Sequence, residues 1–140
     1  MYDRTITLFN RRNADNLWRT ILFEGVNVIE PRASTASTQG TNSGDAVEII
    51  LHCTPGMKVG ELQYVPPKVY QALEDVEGFF TFTPEVDFIA IGDNTSETPV
   101  PEDDYDEGLY HAMNEENDGV YMITSATWFG LMPHFEIGGK

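Results

Sequence analysis

The chain has a single cysteine, Cys53, and cannot close a disulfide on itself. It suits a reducing compartment or an assembly that needs no covalent staple. Its second half has almost no basic groups. Residues 69–140 hold sixteen acids against one base, Lys140, whereas residues 1–68 hold seven of each, so the whole charge of −15 lies in one half. Such a surface repels nucleic acid and does not attract an anionic membrane. No apolar run approaches the ~18 residues needed to cross a bilayer, and no basic-then-apolar leader opens the sequence. Neither membrane insertion nor export is expected. There is no internal repeat and no linker between two cores, and 140 residues suffice for one domain, 1–140, with a real core.

The apolar groups that are present alternate in the manner of strands. Thr5–Asn10 puts Ile6 and Leu8 on one face and Thr5, Thr7 and Phe9 on the other. A polar hairpin loop, 11–16, leads to a second strand from Leu17 to Phe23 that carries Trp18, with Gly25 at a bend. Ala46–Cys53 is a third strand, with Val47, Ile49, Leu51 and Cys53 on one face. Pro66 to Val76 is expected to form a short helix with Val69, Ala72, Leu73 and Val76 on its buried stripe, started by proline and stopped at Gly78. Phe79–Phe82 and Val86–Ile91 are further strands, broken at Pro84. The last two strands, 120–129 and 134–137, are expected to close the core. In the first, Tyr121, Ile123 and Phe129 share one face, and Met122, Ala126 and Trp128 the other. Apolar groups on both faces place it deep in a sheet rather than on an edge. The fold expected is mainly β, of the α+β class: a small antiparallel β-barrel or sandwich with one or two short peripheral helices and a long polar loop.

Two segments depart from this pattern. Residues 31–44 contain almost no large apolar side chain, so burial cannot offset the entropy of ordering them. A long loop, mobile in the isolated protein and able to reach a neighbouring subunit, is expected there. Its candidate docking residues are Ser34, Thr35, Ser37, Thr38, Gln39 and Asn42, joined by Arg11 and Arg12 of the basic cluster Arg4, Arg11, Arg12 and Arg19. The acidic segment 93–119 is expected to contain a short helix with Glu102, Asp103 and Asp104 in its first turn, where carboxylates favour the helix dipole. Tyr105, Leu109, Ala112 and Met113 make its apolar stripe. Glu102, Asp103, Asp104, Asp106, Glu107, Glu115, Glu116 and Asp118 form the candidate face toward a DNA channel or a basic partner.

The sequence offers little catalytic chemistry. His52 and Cys53 are neighbours on a strand and point to opposite faces, so they do not form a nucleophile–base pair. His111 and His134 lack the spacing of metal ligands, and Asp103–Gly108 lacks the donor pattern of a calcium loop. Gly40–Gly44 has no lysine after it to make a phosphate loop. No catalytic residue, cofactor or metal is expected, and no enzymatic function.

Several stretches carry a resemblance: Tyr2–Asn10, Trp18, Tyr64–Lys68, Asp87-Phe88, Gly92, Asp103–Tyr105, Ile123–Ser125 and Pro133–Lys140. Together they resemble a family encoded in the structural-gene clusters of tailed phages and prophages of Gram-positive bacteria, similar to head–tail connector (head-closure or stopper) proteins. The resemblance spans nearly the whole chain. It implies a virion protein at the head–tail junction, assembled in the host cytoplasm. Its implied partners are copies of itself in a ring and neighbouring connector or tail proteins, with DNA passing nearby without specific binding. Two other readings stay open. One is an acidic DNA mimic that occupies a host factor; the other is a tail-terminator or minor capsid protein.

Overall fold

The computed structural model describes residues 3–30 and 46–140. The loop expected over 31–44, with its candidate docking residues, therefore lies outside the described residues. Three strands open the chain: β1 (Arg4–Arg12), β2 (Leu17–Ile29) and β3 (Val47–His52). The short β4 (Lys58–Val59) and β5 (Leu62–Tyr64) precede helix α1 (Pro67–Ala72). Then come β6 (Phe79–Phe80), β7 (Phe88–Ile91), β8 (Val100–Pro101), a 3-10 turn (Glu102–Asp104), helix α2 (Leu109–Glu116), β9 (Val120–Phe129) and β10 (His134–Gly139). Six strands close an antiparallel barrel in the order β1-β7-β9-β10-β3-β2, with β2 returning to β1, and β8 adds to β2 from outside. The fold is mainly β, and of the two expected forms it is the barrel.

Alternation explains the closure. Ile6 and Leu8, Ile21 and Phe23, Val47, Ile49 and Leu51, and Phe135 and Ile137 all turn inward from their strands and pack as one core. The small sheet β4-β5-β6 delivers aromatics to the same core. Phe82 lies 5.2 Å from Phe135, and Phe80 5.3 Å from Phe23, ring centre to ring centre. A second cluster lies outside the barrel wall, where Phe9, Trp18, Phe88, Ala90 and Val120 meet Leu109 of α2. Both faces of β1 and β7 are therefore apolar for different reasons: one fills the barrel, and the other receives the helix.

Two sequence expectations need correction. Strand β9 does lie inside the sheet, between β7 and β10, but its faces do not alternate throughout. Gly138 of β10 pairs with Ser125 and Gly139 with Ile123, which leaves Thr124 as an extra residue in a bulge. Past that bulge the parity inverts. Ile123, Ala126 and Trp128 all pack on the core, and Phe129 turns outward. In α1 the expected stripe is also displaced. The helix ends at Ala72, Val69 is 46 % exposed, and the side chain it buries is Tyr70. Hydrogen bonds cause this. The Gln71 side-chain amide donates to Arg11 O and accepts from Asn13 N, both at 2.8 Å, in the manner of an added strand. Arg12 Nη2 donates to Leu73 O at 2.6 Å. These bonds set the rotation of the helix against β1.

The bulge also restricts Gly139. A Cβ there would lie 3.0 Å from Val47 Cγ1, 3.1 Å from Tyr121 Cβ and 3.2 Å from the carbonyl oxygen of Met122. One of those neighbours is backbone and another a strand-fixed Cβ, so neither can yield easily. Gly139→Ala is expected to lower stability by about 1–3 kcal/mol in urea unfolding. A loss below about 0.5 kcal/mol would show that the hairpin can relax around the methyl group.

Candidate functional site

The acidic segment folds as a lobe on the outer wall of the barrel. Between positions 93 and 118 it has ten carboxylates and no lysine or arginine. β8 joins it to β2 through the pairs Leu17–Pro101 and Trp18–Val100. Glu102, Asp103 and Asp104 do not begin the helix. They form their own 3-10 turn, and α2 starts only at Leu109, after Gly108 at φ 93°. The cause is Glu102. Its Oε1 accepts hydrogen bonds from Trp18 Nε1 and from Leu109 N, both at 2.8 Å. Glu102 therefore caps α2 from seven residues upstream and ties it to the barrel. Gly108 is required beside it, because a Cβ there would stand 2.7 Å from the Glu102 carboxylate.

The other acidic candidates divide by exposure. Asp103 is exposed and accepts from Asn16 Nδ2 at 2.9 Å. Asp104, Asp106, Glu107, Glu115, Glu116 and Asp118 all stand in solvent. Glu107 and Glu115 flank His111 Nε2 at 3.0 and 3.3 Å on the outer side of α2. Seven of the eight predicted carboxylates thus share this lobe as an exposed set, and Glu102 is turned inward.

Arg11 and Arg12 are held within the chain. Arg11 Nε donates to Asn16 Oδ1 at 3.0 Å, and the guanidinium lies 6.0 Å over the Trp18 ring and 3.8 Å from Glu102. Arg12 is fixed on Leu73 O. Arg12 and Arg19 also line a cavity of about 160 Å³ that contains Asp15 and Asp75, so its charges balance. Arg4 is at the far end of β1, paired with Val26, and does not join this group.

A buried polar centre lies at the Arg11 end of β1. Asp87 is fully buried; its Oδ2 accepts from Asn10 Nδ2 and Thr83 N, both at 2.9 Å, and its Oδ1 from Arg11 N at 3.0 Å. Burial pushes its carboxyl up to about 7, against the pull of the donors from Arg11, Thr83 and Asn10. Asp87 completes the edge of β1 beyond the end of β7. Sequence reading missed Asp87, and it placed Glu102 on the acidic face without its inward bonds to Trp18 and Leu109. The only sequence signal was an acid set between Val86 and Phe88 in an otherwise apolar run.

Cys53 is half-buried, and burial pushes its thiol up to about 11, far from a reactive thiolate. His134 sits at the opposite end of β9 from α2. Its ring stacks on Phe129 at 4.9 Å, and hydrogen bonds to Met132 O and Glu136 raise its pKa. His111 and His134 therefore share no group of ligands. Among the described residues, no three His, Cys, Asp or Glu side chains are grouped to hold a metal ion, and no helix is long and apolar enough to cross a membrane. An open, mostly apolar groove of about 400 Å³ lies between α1 and the loop before β7. It is lined by Asn13, Pro67, Lys68, Gln71, Thr83 and Val86.

The model of a family of unknown function, DUF6751, matches residues 1–140. No curated protein and no solved structure matches the chain.

Proposed function

The chain belongs to the family DUF6751, and we propose that it is a phage virion structural subunit of the head–tail junction. In this reading it is a head-closure or connector subunit that assembles by protein–protein contacts around the DNA channel, with no chemical step of its own. One observation carries the reading: one lobe, 93–118, presents exposed carboxylates with no lysine or arginine among them, on a barrel whose interior is filled by its own side chains. Such a molecule acts through its surfaces. Carboxylates facing a channel neutralise no phosphates and release no counterions, so DNA slides past without being held. The resemblance to phage structural-cluster proteins supports the same role, with a ring of copies and adjoining connector or tail proteins as partners.

The same exposed carboxylates also favour a second reading, an acidic DNA mimic that occupies a basic host protein. Mass spectrometry of purified virions separates the two. A junction subunit is expected in virions at a constant ratio to the capsid protein, in either the head or the tail fraction. Its absence from virions, combined with salt-sensitive binding to a host protein, would replace the first reading with the second. Recovery in the tail fraction alone would favour a tail terminator, and recovery spread over the shell a minor capsid protein.

A further inference from the structure

We propose that the cavity between the β1–β2 hairpin and the segment after α1 binds a small oxyanion, a phosphate or a carboxylate, through Arg19, Arg12 and the Tyr70 hydroxyl. The donors are in place without acceptors. Arg19 is half-buried on the cavity wall, and among the described residues it makes no hydrogen bond and no ion pair. Arg12 gives Nη2 to Leu73 O, but its Nε is buried with no partner. Tyr70 is 0 % exposed, and its hydroxyl is likewise buried without a partner. Burial pushes that hydroxyl up to about 12, so it stays a protonated donor. The charges that act on it are those of Arg19, Asp87, Arg12 and Asp15, and three of these four residues line the cavity. An unpaired buried donor is costly, and three such groups around one cavity call for an acceptor from outside the chain.

The lining sets the class of ligand. Arg12, Arg19 and the buried Val76 form the inner wall, and the exposed Asp15, Asp75 and Pro99 form the rim. The free polar atoms of the inner wall are donors, which suits oxygen acceptors and disfavours a cation. A guanidinium fork matches two oxygens of one carboxylate or phosphate. About 160 Å³ admits one such group rather than a drug-sized molecule, which needs about 300–1,000 Å³. The rim acids do not satisfy the arginines themselves. Asp15 Oδ1 accepts from Leu17 N at 3.3 Å and Asp75 Oδ1 from Glu77 N at 2.9 Å, which holds both in their own turns. Their charge opposes an incoming anion, so the affinity is expected to be weak. The site stands apart from the junction reading, and neither depends on the other.

The test is an NMR titration of the full chain with inorganic phosphate and, separately, with acetate, each against sodium chloride at matched ionic strength. The signals followed are the Nε–H groups of Arg12 and Arg19 and the amides of Leu17 and Val76. At least one of the two anions should shift them saturably with a Kd of about 1–20 mM, while chloride does not, and the anion that does so identifies the ligand. Arg19→Gln breaks no bond within the chain and should weaken binding at least about 10-fold; Tyr70→Phe should weaken it about 3–10-fold. Y70F separates binding from structure. It removes a hydroxyl that has no partner, so in chloride the variant should unfold at the same urea concentration as wild type or a higher one. Asp75→Asn keeps the acceptor for Glu77 N and removes a rim charge, so binding should tighten about 3-fold. No saturable shift with either anion up to about 100 mM, equal shifts with chloride, or wild-type affinity in R19Q or Y70F would each overturn the proposal.

Discussion

The Asp87→Asn protein is expected to lie within about 1 kcal/mol of wild type at pH 5.5, and to exceed it by about 2 kcal/mol at pH 8. The first figure comes from geometry. Three donors converge on Asp87, two on Oδ2 and one on Oδ1. At pH 5.5 the folded carboxyl is protonated and must itself aim an O–H toward one of them, as the asparagine amide aims its N–H, so the two side chains are nearly matched there. The second figure comes from linkage. Burial raises the folded-state pKa to about 7 from an ordinary 3.8, so between those values the folded protein binds a proton that the unfolded chain releases. Stability from this group is then full below pH 4 and falls as pH rises to about 7, by roughly 4 kcal/mol for a shift of about three units at 1.36 kcal/mol each. Asparagine does not titrate, so the variant lacks that loss. The self-repulsion of the other acids affects both proteins alike and cancels in the difference. Urea unfolding of both proteins at the two pH values measures it. A difference that does not change with pH would mean that Asp87 titrates near its ordinary value, held there by its donors.

Asp87 also marks the limit of what the sequence conveys. Alternation of apolar residues located β1, β2, β3, β7, β9 and β10 and the mainly β class, because strand periodicity depends only on neighbours within one segment. Pairing is another matter. The closure of β1 onto β7, the Thr124 bulge and the placement of α2 over Phe9 and Phe88 are set by contacts between segments far apart in the chain. No local pattern encodes those contacts. The rotation of α1 failed for the same reason, since Gln71 reaches back to Arg11 and Asn13, about sixty positions earlier in the chain. The exposed acids were legible as a set because a run of carboxylates has few ways to be buried. The one that is mostly buried, Glu102, could not be told from the rest without Trp18 in place. The exposure of Leu131 and Met132 between β9 and β10 is likewise a tertiary fact.

Glu102→Ala is expected to cost about 3 kcal/mol and to loosen α2 without disturbing the barrel. Trp18 is 2 % exposed, so its indole N–H would lose its acceptor in a site that water does not reach. Removing a charged acceptor from a buried donor costs about 1.5–3 kcal/mol, and losing the cap on Leu109 N adds about 1 kcal/mol. Gly108, the N-cap residue, has no side chain to take over that bond. Glu102→Gln separates the hydrogen bonds from the charge. Both donors converge on Oε1, which the glutamine oxygen can replace, and its amide nitrogen would lie on the side of Arg11, which is only 3.8 Å from Oε2. The glutamine variant should therefore lose less than about 1 kcal/mol. In a Trp18→Phe background, which has no indole donor, the cost of E102A should fall by about 1–2 kcal/mol, the coupling expected of residues in direct contact. Hydrogen exchange gives a local readout: amides from Tyr110 to Asn114 should lose protection in E102A, while those of β1 and β9 keep it. If glutamine proved as costly as alanine, the lobe would be held by the ion pair with Arg11. Its attachment would then weaken with salt, and the exposed carboxylates around it could shift position as a neighbouring subunit approached.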